Sequence, residues 1–166
     1  MRDGFFNAQE MKIRIGRKED LPRVLELIVE LAAYEKAADE VEATVAQMEI
    51  DGFGTDPIFG FYVAETNGFI IGTAIYYYRY STWKGKRLYL EDLVVTKAER
   101  GKGVGKMLLD RVIQHGLENG CTGIMWQVLE WNKPAINFYQ KHYKAKLDGE
   151  WFNCSLSKDM MLKAIT

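Results

Sequence analysis

Apolar residues recur along this chain with two periods, and each change of period marks a boundary between elements. Met11 to Ile15 alternates as a half-buried strand does. From Glu19 to Lys36 the positions Leu21, Val24, Leu25, Ile28 and Leu31 recur at helical spacing. Pro22 falls in the first turn, where its missing N–H is tolerated. Thr44-Val-Ala-Gln47 has a capping-box pattern and opens a short second helix, which Asp51-Gly-Phe-Gly54 ends. Two strands, about 59–66 and 69–80, flank Asn67-Gly68, a dipeptide that favours a tight hairpin. A further strand over 87–96 follows the polar loop Ser81–Lys86. A glycine-rich stretch then leads into a helix over 105–119, with a stripe of Leu108, Leu109, Val112 and Ile113 and a stop at Gly120. Residues 123–128 read as a buried strand. Asn132 caps a helix that has Pro134 in its first turn and runs to about Lys141. Residues 144–147 and 152–161 read as two closing strands. The order βααβββαβαββ predicts an α/β domain over 11–166, with a mixed, mostly antiparallel sheet of six to seven strands and about four helices.

Composition removes several classes of function. Of the 166 residues 48% are hydrophobic and 27% charged, which is ordinary for a globular domain and unlike a disordered chain. The net charge of −1 supplies no field for general nucleic-acid or anionic-membrane binding. No apolar run approaches the ~20 residues of a membrane helix. Cys121 and Cys154 are far apart and form no CxxC, which argues against a disulfide framework or a zinc knuckle and suits a reducing, cytoplasmic setting. Both read as core or subsurface residues. His115 and His142 read as surface positions, and no metal site is expected. Residues 1–10 carry Arg2, Asp3 and Glu10 without a long apolar core; they read as an N-terminal extension rather than a signal peptide.

The chemistry begins at Arg100-Gly101-Lys102-Gly103-Val104-Gly105, directly after a strand and directly before a helix. Residues without Cβ let the backbone approach a ligand and adopt positive φ. Successive N–H groups then point into one concavity, the helix N-terminus adds partial positive charge, and Arg100, Lys102 and Lys106 add full charges. This combination suits a pyrophosphate. It is not a nucleotide P-loop, which would need Ser or Thr where Met107 stands. Nor is it a dinucleotide fingerprint, because the spacing is GxGxG and follows the fourth strand rather than the first.

On these residues the chain resembles the GCN5-related N-acetyltransferase superfamily, whose signature is Arg or Gln followed by xxGxG/A at this junction. The element order matches over nearly all of 11–163. The resemblance implies a loop that holds the pyrophosphate of acetyl-CoA, with Leu93, Val94 and Val95 offering backbone groups to the pantetheine arm between splayed fourth and fifth strands. Four further segments are similar to the diamine (spermidine/spermine) N1-acetyltransferase and thialysine acetyltransferase family. They are Leu31-Ala-Ala-Tyr34-Glu35, Asp51-Gly-Phe-Gly54, Leu88-Tyr-Leu-Glu91-Asp92 and Glu130-Trp-Asn132-Lys-Pro134-Ala135-Ile-Asn137-Phe-Tyr139.

That closer resemblance implies roles for single residues. Tyr139 is the general acid for the departing thiolate, although a packing tyrosine is the competing reading of a Phe-Tyr pair. Asn132, Pro134, Ala135 and Tyr139 border the cofactor. Glu91 and Asp92 interrupt an apolar strand, where a structural ion partner and an amine-binding role compete. The resemblance favours Glu91 as base, with Asp92 near the amine. Tyr34, Glu35 and Trp126 complete the acceptor side, and Asp39, Glu40, Glu42, Glu49 and Asp51 make the neighbourhood acidic. Tyr143 stands where the family has a helix-ending glycine. The implied activity is direct acetyl transfer from acetyl-CoA to a small di- or polyamine or a thialysine-like amino acid, by a homodimer. A protein N-acetyltransferase and a non-catalytic acetyl-CoA sensor remain the alternatives.

Overall fold

The computed structural model describes residues 11–165, so the expected extension over 1–10 lies outside the described residues. The chain divides into a larger unit ending at Leu129 and a smaller one beginning at Glu130.

The larger unit is a five-stranded sheet in the order β1-β2-β3-β4-β5. Its strands are β1 (Met11–Ile15), β2 (Gly60–Thr66), β3 (Phe69–Ser81), β4 (Gly85–Val95) and β5 (Ile124–Met125). The first four are antiparallel neighbours, and β5 joins β4 in parallel. Asn67 and Gly68, at φ of +49° and +79°, make the β2–β3 turn with both central residues left-handed, as the dipeptide predicts.

Helices cover both faces of the sheet. α1 (Leu21–Tyr34) and α2 (Val45–Phe53) cover one. There Leu21, Val24 and Met48 pack with Phe61, Val63 and Ile75. The Thr44 side chain accepts from the Gln47 amide and starts α2. α3 (Val104–Glu118) covers the other face, burying Leu108, Leu109 and Val112. Each fully buried Leu contributes about 2 kcal/mol relative to exposure.

The approach to α1 rests on a polar knot that periodicity did not reveal. Asp20, only 8% exposed, accepts from Arg14 Nη1 and Nη2 at 2.7 and 2.9 Å and from the Arg17 amide at 2.7 Å. Arg14 also reaches Glu65 across the β1–β2 ladder at 2.7 Å. The Arg14 guanidinium holds the Asp20 carboxyl below its usual range. Removing one partner strands a part-buried charge. Asp20→Ala is therefore expected to cost about 3 kcal/mol, and thermal unfolding should fall by roughly 6–12 °C. An unchanged melting curve would show that the knot is energetically neutral.

In the smaller unit α4 (Lys133–Tyr143) is capped by Asn132, whose side chain accepts from the Ala135 amide. α5 (Lys158–Ala164) follows, where Ser157 accepts from the Met160 amide.

Four expectations are corrected. Among the described residues the sheet has five strands rather than six to seven, and five α-helices are formed rather than about four. The closing strands over 144–147 and 152–161 do not form. A strand exists only as one side of a ladder, and a Ser cap redirects 158–164 into a helix. The fifth strand is reduced to Ile124–Met125, for a reason that lies in β4 and bears on the site. At the end of α4 the left-handed residue is Lys144, at φ +51°, so the helix stops one position after Tyr143 without a glycine.

Candidate active site

β4 leads through a short 3-10 turn, Lys97–Glu99, to the glycine loop. Gly101 and Gly103 sit at φ +78° and +83°, a region that L side chains rarely adopt, and a Cβ built at either would meet nothing within 4 Å. The loop is therefore an open cradle whose shape requires glycine for its backbone. Gly103 caps α3, and the first intrahelical bond runs from Met107 N–H to the Gly103 carbonyl, 3.1 Å. The amides of Val104 and Gly105 lie ahead of that ladder, at the positive end of the helix. Gly105 stands on the Val95 side chain, 3.8 Å from its own would-be Cβ, which seats α3 close to β4.

The cations of the loop are held by local partners. Arg100 Nε donates to the Val95 carbonyl at 2.9 Å, and its guanidinium lies 5.3 Å from the centre of the Tyr34 ring. Lys102 pairs with Glu99 at 2.8 Å and Lys106 with Asp110 at 2.6 Å. Such exposed pairs are worth no more than about 1 kcal/mol, so a doubly charged pyrophosphate can displace the carboxylates.

Leu93, Val94 and Val95 pair with β3 along one edge, opposite Ala74, Thr73 and Gly72. On the other edge the β4–β5 ladder has only two rungs, Leu88–Ile124 and Tyr89–Met125, although β4 continues to Val95. The cause is a bulge. Tyr76 is opposite Leu90 and Ile75 is opposite Asp92, which leaves Glu91 as the additional residue. A bulge bends its strand and increases the local twist, here immediately beyond the last rung with β5.

The same bulge resolves the problem of two adjacent carboxylates in an apolar strand. Strict alternation would send Glu91 and Asp92 to opposite faces. Instead Asp92 senses both Glu91 and Glu35. Its pKa is raised to about 6, first by burial, then by the Glu91 charge and then by Glu35. Burial likewise raises Glu35, which is the residue that ends α1. Among the described residues none of the three carboxylates has a Lys or Arg partner. Tyr34 connects this cluster to the loop, since it precedes Glu35 and lies beneath Arg100. Trp126 is half-buried, one residue beyond the Tyr89–Met125 rung.

Two residues here were not anticipated. Tyr77 lies opposite Tyr89, the two rings stack 5.1 Å apart, and the Tyr77 phenol feels the Glu91 charge. Burial followed by the Glu91 charge raises both phenols. The available signal was the strand-register pairing of Tyr77 with the residue two before Glu91.

The acetyltransferase (GNAT) family pattern matches residues 22–143. The chain belongs to the GNAT family and is an N-acetyltransferase. It is 38% identical over 136 residues to a thialysine N-epsilon-acetyltransferase of Bos taurus, covering 77% of this chain and 80% of that one. It is also 38% identical over 146 residues to a human spermidine/spermine N(1)-acetyltransferase-like protein 1, covering 84% of this chain and 21% of that longer protein. A soil-metagenome aminoglycoside acetyltransferase solved with sisomicin shares the fold, with a TM-score of 0.74, 21% identity and coverage of 89% and 97%.

GNAT enzymes use acetyl-CoA, and the open glycine cradle with the α3 N-terminus fits its pyrophosphate. The remaining sequence-predicted residues lie in the smaller unit. The Ala135 amide donates to the Asn132 side-chain oxygen at 3.3 Å, and Pro134 occupies the first turn of α4. Tyr139 is 8% exposed, and its ring meets that of Phe138 edge-on at 5.3 Å.

Two minor expectations are also corrected. Cys154 is exposed rather than subsurface. His115 is half-buried, with hydrogen bonds joining Nδ1 to the Tyr62 hydroxyl at 3.1 Å and Nε2 to the Tyr78 hydroxyl at 2.8 Å. Burial and then Arg111 depress its pKa, so it is a neutral strut between α3 and the sheet. His142 is exposed, as expected.

Proposed function

We propose that this chain transfers the acetyl group of acetyl-CoA directly to a primary amine of a small di- or polyamine or a thialysine-like amino acid. The observation that carries the reading is the cluster of Glu35, Glu91 and Asp92, three carboxylates with no Lys or Arg partner among the described residues, beside the phosphate loop's own strand. Such a site gains from a ligand that brings the missing positive charge. An aliphatic amine with a pKa near 10 arrives as ammonium, so a base must remove a proton before nitrogen can attack. Glu91, exposed at the apex of the bulge, takes that proton directly or through water. The nitrogen forms a bond to the thioester carbon and releases its second proton to water, the carbon–sulfur bond breaks, and the thiolate leaves with a proton donated by Tyr139, which solvent then restores. The cradle of Arg100–Lys106 and the backbone of Leu93–Val95 hold the donor in place, with Asn132, Pro134 and Ala135 bordering it. Tyr34, Glu35, Asp92 and Trp126 receive the acceptor. Positioning supplies most of the rate enhancement.

A panel of spermidine, 1,4-diaminobutane and aminoethylcysteine, followed by free thiol with acetyl-CoA present, tests the reading. Turnover of at least one is expected, and Tyr139→Phe should slow it about 100-fold. Tight acetyl-CoA binding with no amine turned over would instead indicate a sensor; turnover of peptide amines alone would indicate a protein acetyltransferase. Full activity of Tyr139→Phe at every pH would remove Tyr139 from the mechanism.

Asp92 adds a pH dependence. Below about pH 6 it is protonated and contributes no charge. Because its folded pKa is above the usual carboxylate value, folding itself favours the neutral form at low pH, and that contribution is lost as pH rises toward 6. Ammonium binding has the opposite sign, since it needs the ionised form. Calorimetric Kd for the amine, measured without acetyl-CoA, should rise toward ten-fold per pH unit below 6. Asp92→Asn should flatten that dependence; an unaltered slope would assign it to another group.

Homodimerisation is part of the same proposal. Trp151 and Phe152 are 75% and 95% exposed, and Leu156, Met160, Met161 and Leu162 are exposed with them. Exposed apolar surface of this size marks an interaction site, and a second copy would cover it. Light scattering at micromolar concentration should report twice the chain mass.

A further inference from the structure

The carboxylate cluster accounts for the ammonium of an acceptor but not for the rest of the molecule. A recess of about 510 Å3 lies against β3, the strand paired with β4, lined by Pro57, Ile58, Phe59, Tyr77 and Tyr78. Its volume is in the range of small-molecule sites, and no lining residue carries a charge at neutral pH. Tyr77 belongs to both places. It lines the recess, its face stacks on Tyr89 two residues before Glu91 on β4, and its phenol feels the Glu91 charge. An acceptor whose nitrogen is at Glu91 therefore meets Tyr77 first and the recess next. Phe59 packs against the core of Leu21, Val24, Met48, Phe61, Val63 and Ile75, so this wall is anchored. Ile58, by contrast, is 68% exposed and forms a rim with no packing role of its own.

We infer that the recess formed by Pro57, Ile58, Phe59, Tyr77 and Tyr78 holds the uncharged stem of the amine acceptor and so selects for its length. The inference rests on the amine-acetyltransferase reading above. The occupant follows from the chemistry of the two halves: charge is matched at Glu35, Glu91 and Asp92, whereas the adjoining walls are uncharged and mainly apolar and aromatic. A second charge placed on those walls would lose its water without gaining a partner. The acceptors that fit have an alkyl, thioether or aromatic stem of several atoms before the next charged or strongly polar group. A short amine leaves the recess wet and binds through its ammonium alone.

The experiment is a KM series for straight-chain primary amines from propylamine to heptylamine, with acetyl-CoA saturating and free thiol as readout. Each added methylene should lower KM about four-fold until the recess is filled, the increment expected when one CH2 leaves water. Ile58→Asp places a charge on the rim and should abolish the increment, and Ile58→Ala should weaken it. Ile50→Asp, an equally exposed substitution on α2, should leave the increment intact and so controls for added surface charge. A KM that does not change with chain length in the native enzyme, or an increment that survives Ile58→Asp, overturns the assignment of the recess while amine acetylation stands. Absence of turnover with every amine tested overturns the amine reading itself and this inference with it.

Discussion

Glu91→Gln is expected to lower kcat/KM for the amine by about 100- to 1000-fold at neutral pH, the usual contribution of a positioned base. The Michaelis constant for acetyl-CoA should change little, because Glu91 lies on the acceptor side of β4 rather than at the glycine cradle. Glutamine keeps the size of the side chain, and the bulge is set by the β3–β4 pairing, so it should persist. The defect should also shrink at alkaline pH. Without a base the reaction draws on amine that is already deprotonated, a fraction that grows ten-fold per pH unit up to the amine's own pKa near 10. A pH–rate profile of both enzymes between 7 and 9.5 decides the matter. Parallel profiles would mean that Glu91 binds the ammonium without accepting its proton.

The second large effect concerns the cradle. Gly103→Val puts a β-branched residue at φ +83° and projects its side chain into the space where a Cβ now meets nothing. Strain alone costs about 1–2 kcal/mol. Gly68→Val carries similar strain at φ +79°, in a hairpin turn whose Cβ also meets open space. The two variants should therefore lose comparable thermal stability. Only Gly103→Val should weaken acetyl-CoA binding, by 100-fold or more in calorimetric Kd, since it blocks the approach of a pyrophosphate to the backbone amides. Equal acetyl-CoA affinity in the two proteins would show that the loop does not hold the cofactor.

How much of this was legible beforehand depended on the range of the interactions involved. Asn67-Gly68, the Thr44 cap and the Asn132 cap are dictated within four residues, and each appears where the chain pattern puts it. The cradle is equally local, because it needs three glycines between a strand and a helix. Glu35, Glu91 and Asp92 could be nominated from the sequence, yet strand alternation argued that the last two should point apart. The bulge that brings them together is a property of the β3–β4 register, set by pairing over eleven residues, and neither strand announces it alone. Tyr77 was missed for the same reason.

The terminal region shows the limit more sharply. Alternating apolar residues after Tyr143 suggested strands, but strand formation requires a partner edge, and five exposed side chains over 150–154 have none in a ladder here. The polar knot of Arg14, Asp20 and Glu65 likewise joins residues up to 51 positions apart.

Sequence by itself determined the elements as far as β4 and α3, the Thr44 and Asn132 caps, the glycine cradle and the acidic character of the acceptor side, since these follow from periodicity, local hydrogen bonding and side-chain chemistry. Tertiary structure alone decided that β5 leaves β4 after two rungs, that Glu91 and Asp92 share one cluster with Glu35, and that Tyr77 spans from that cluster to an apolar recess. Those features arise from strand register and burial, which bring distant residues within reach of one another and raise the Asp92 pKa in a way that no short segment encodes.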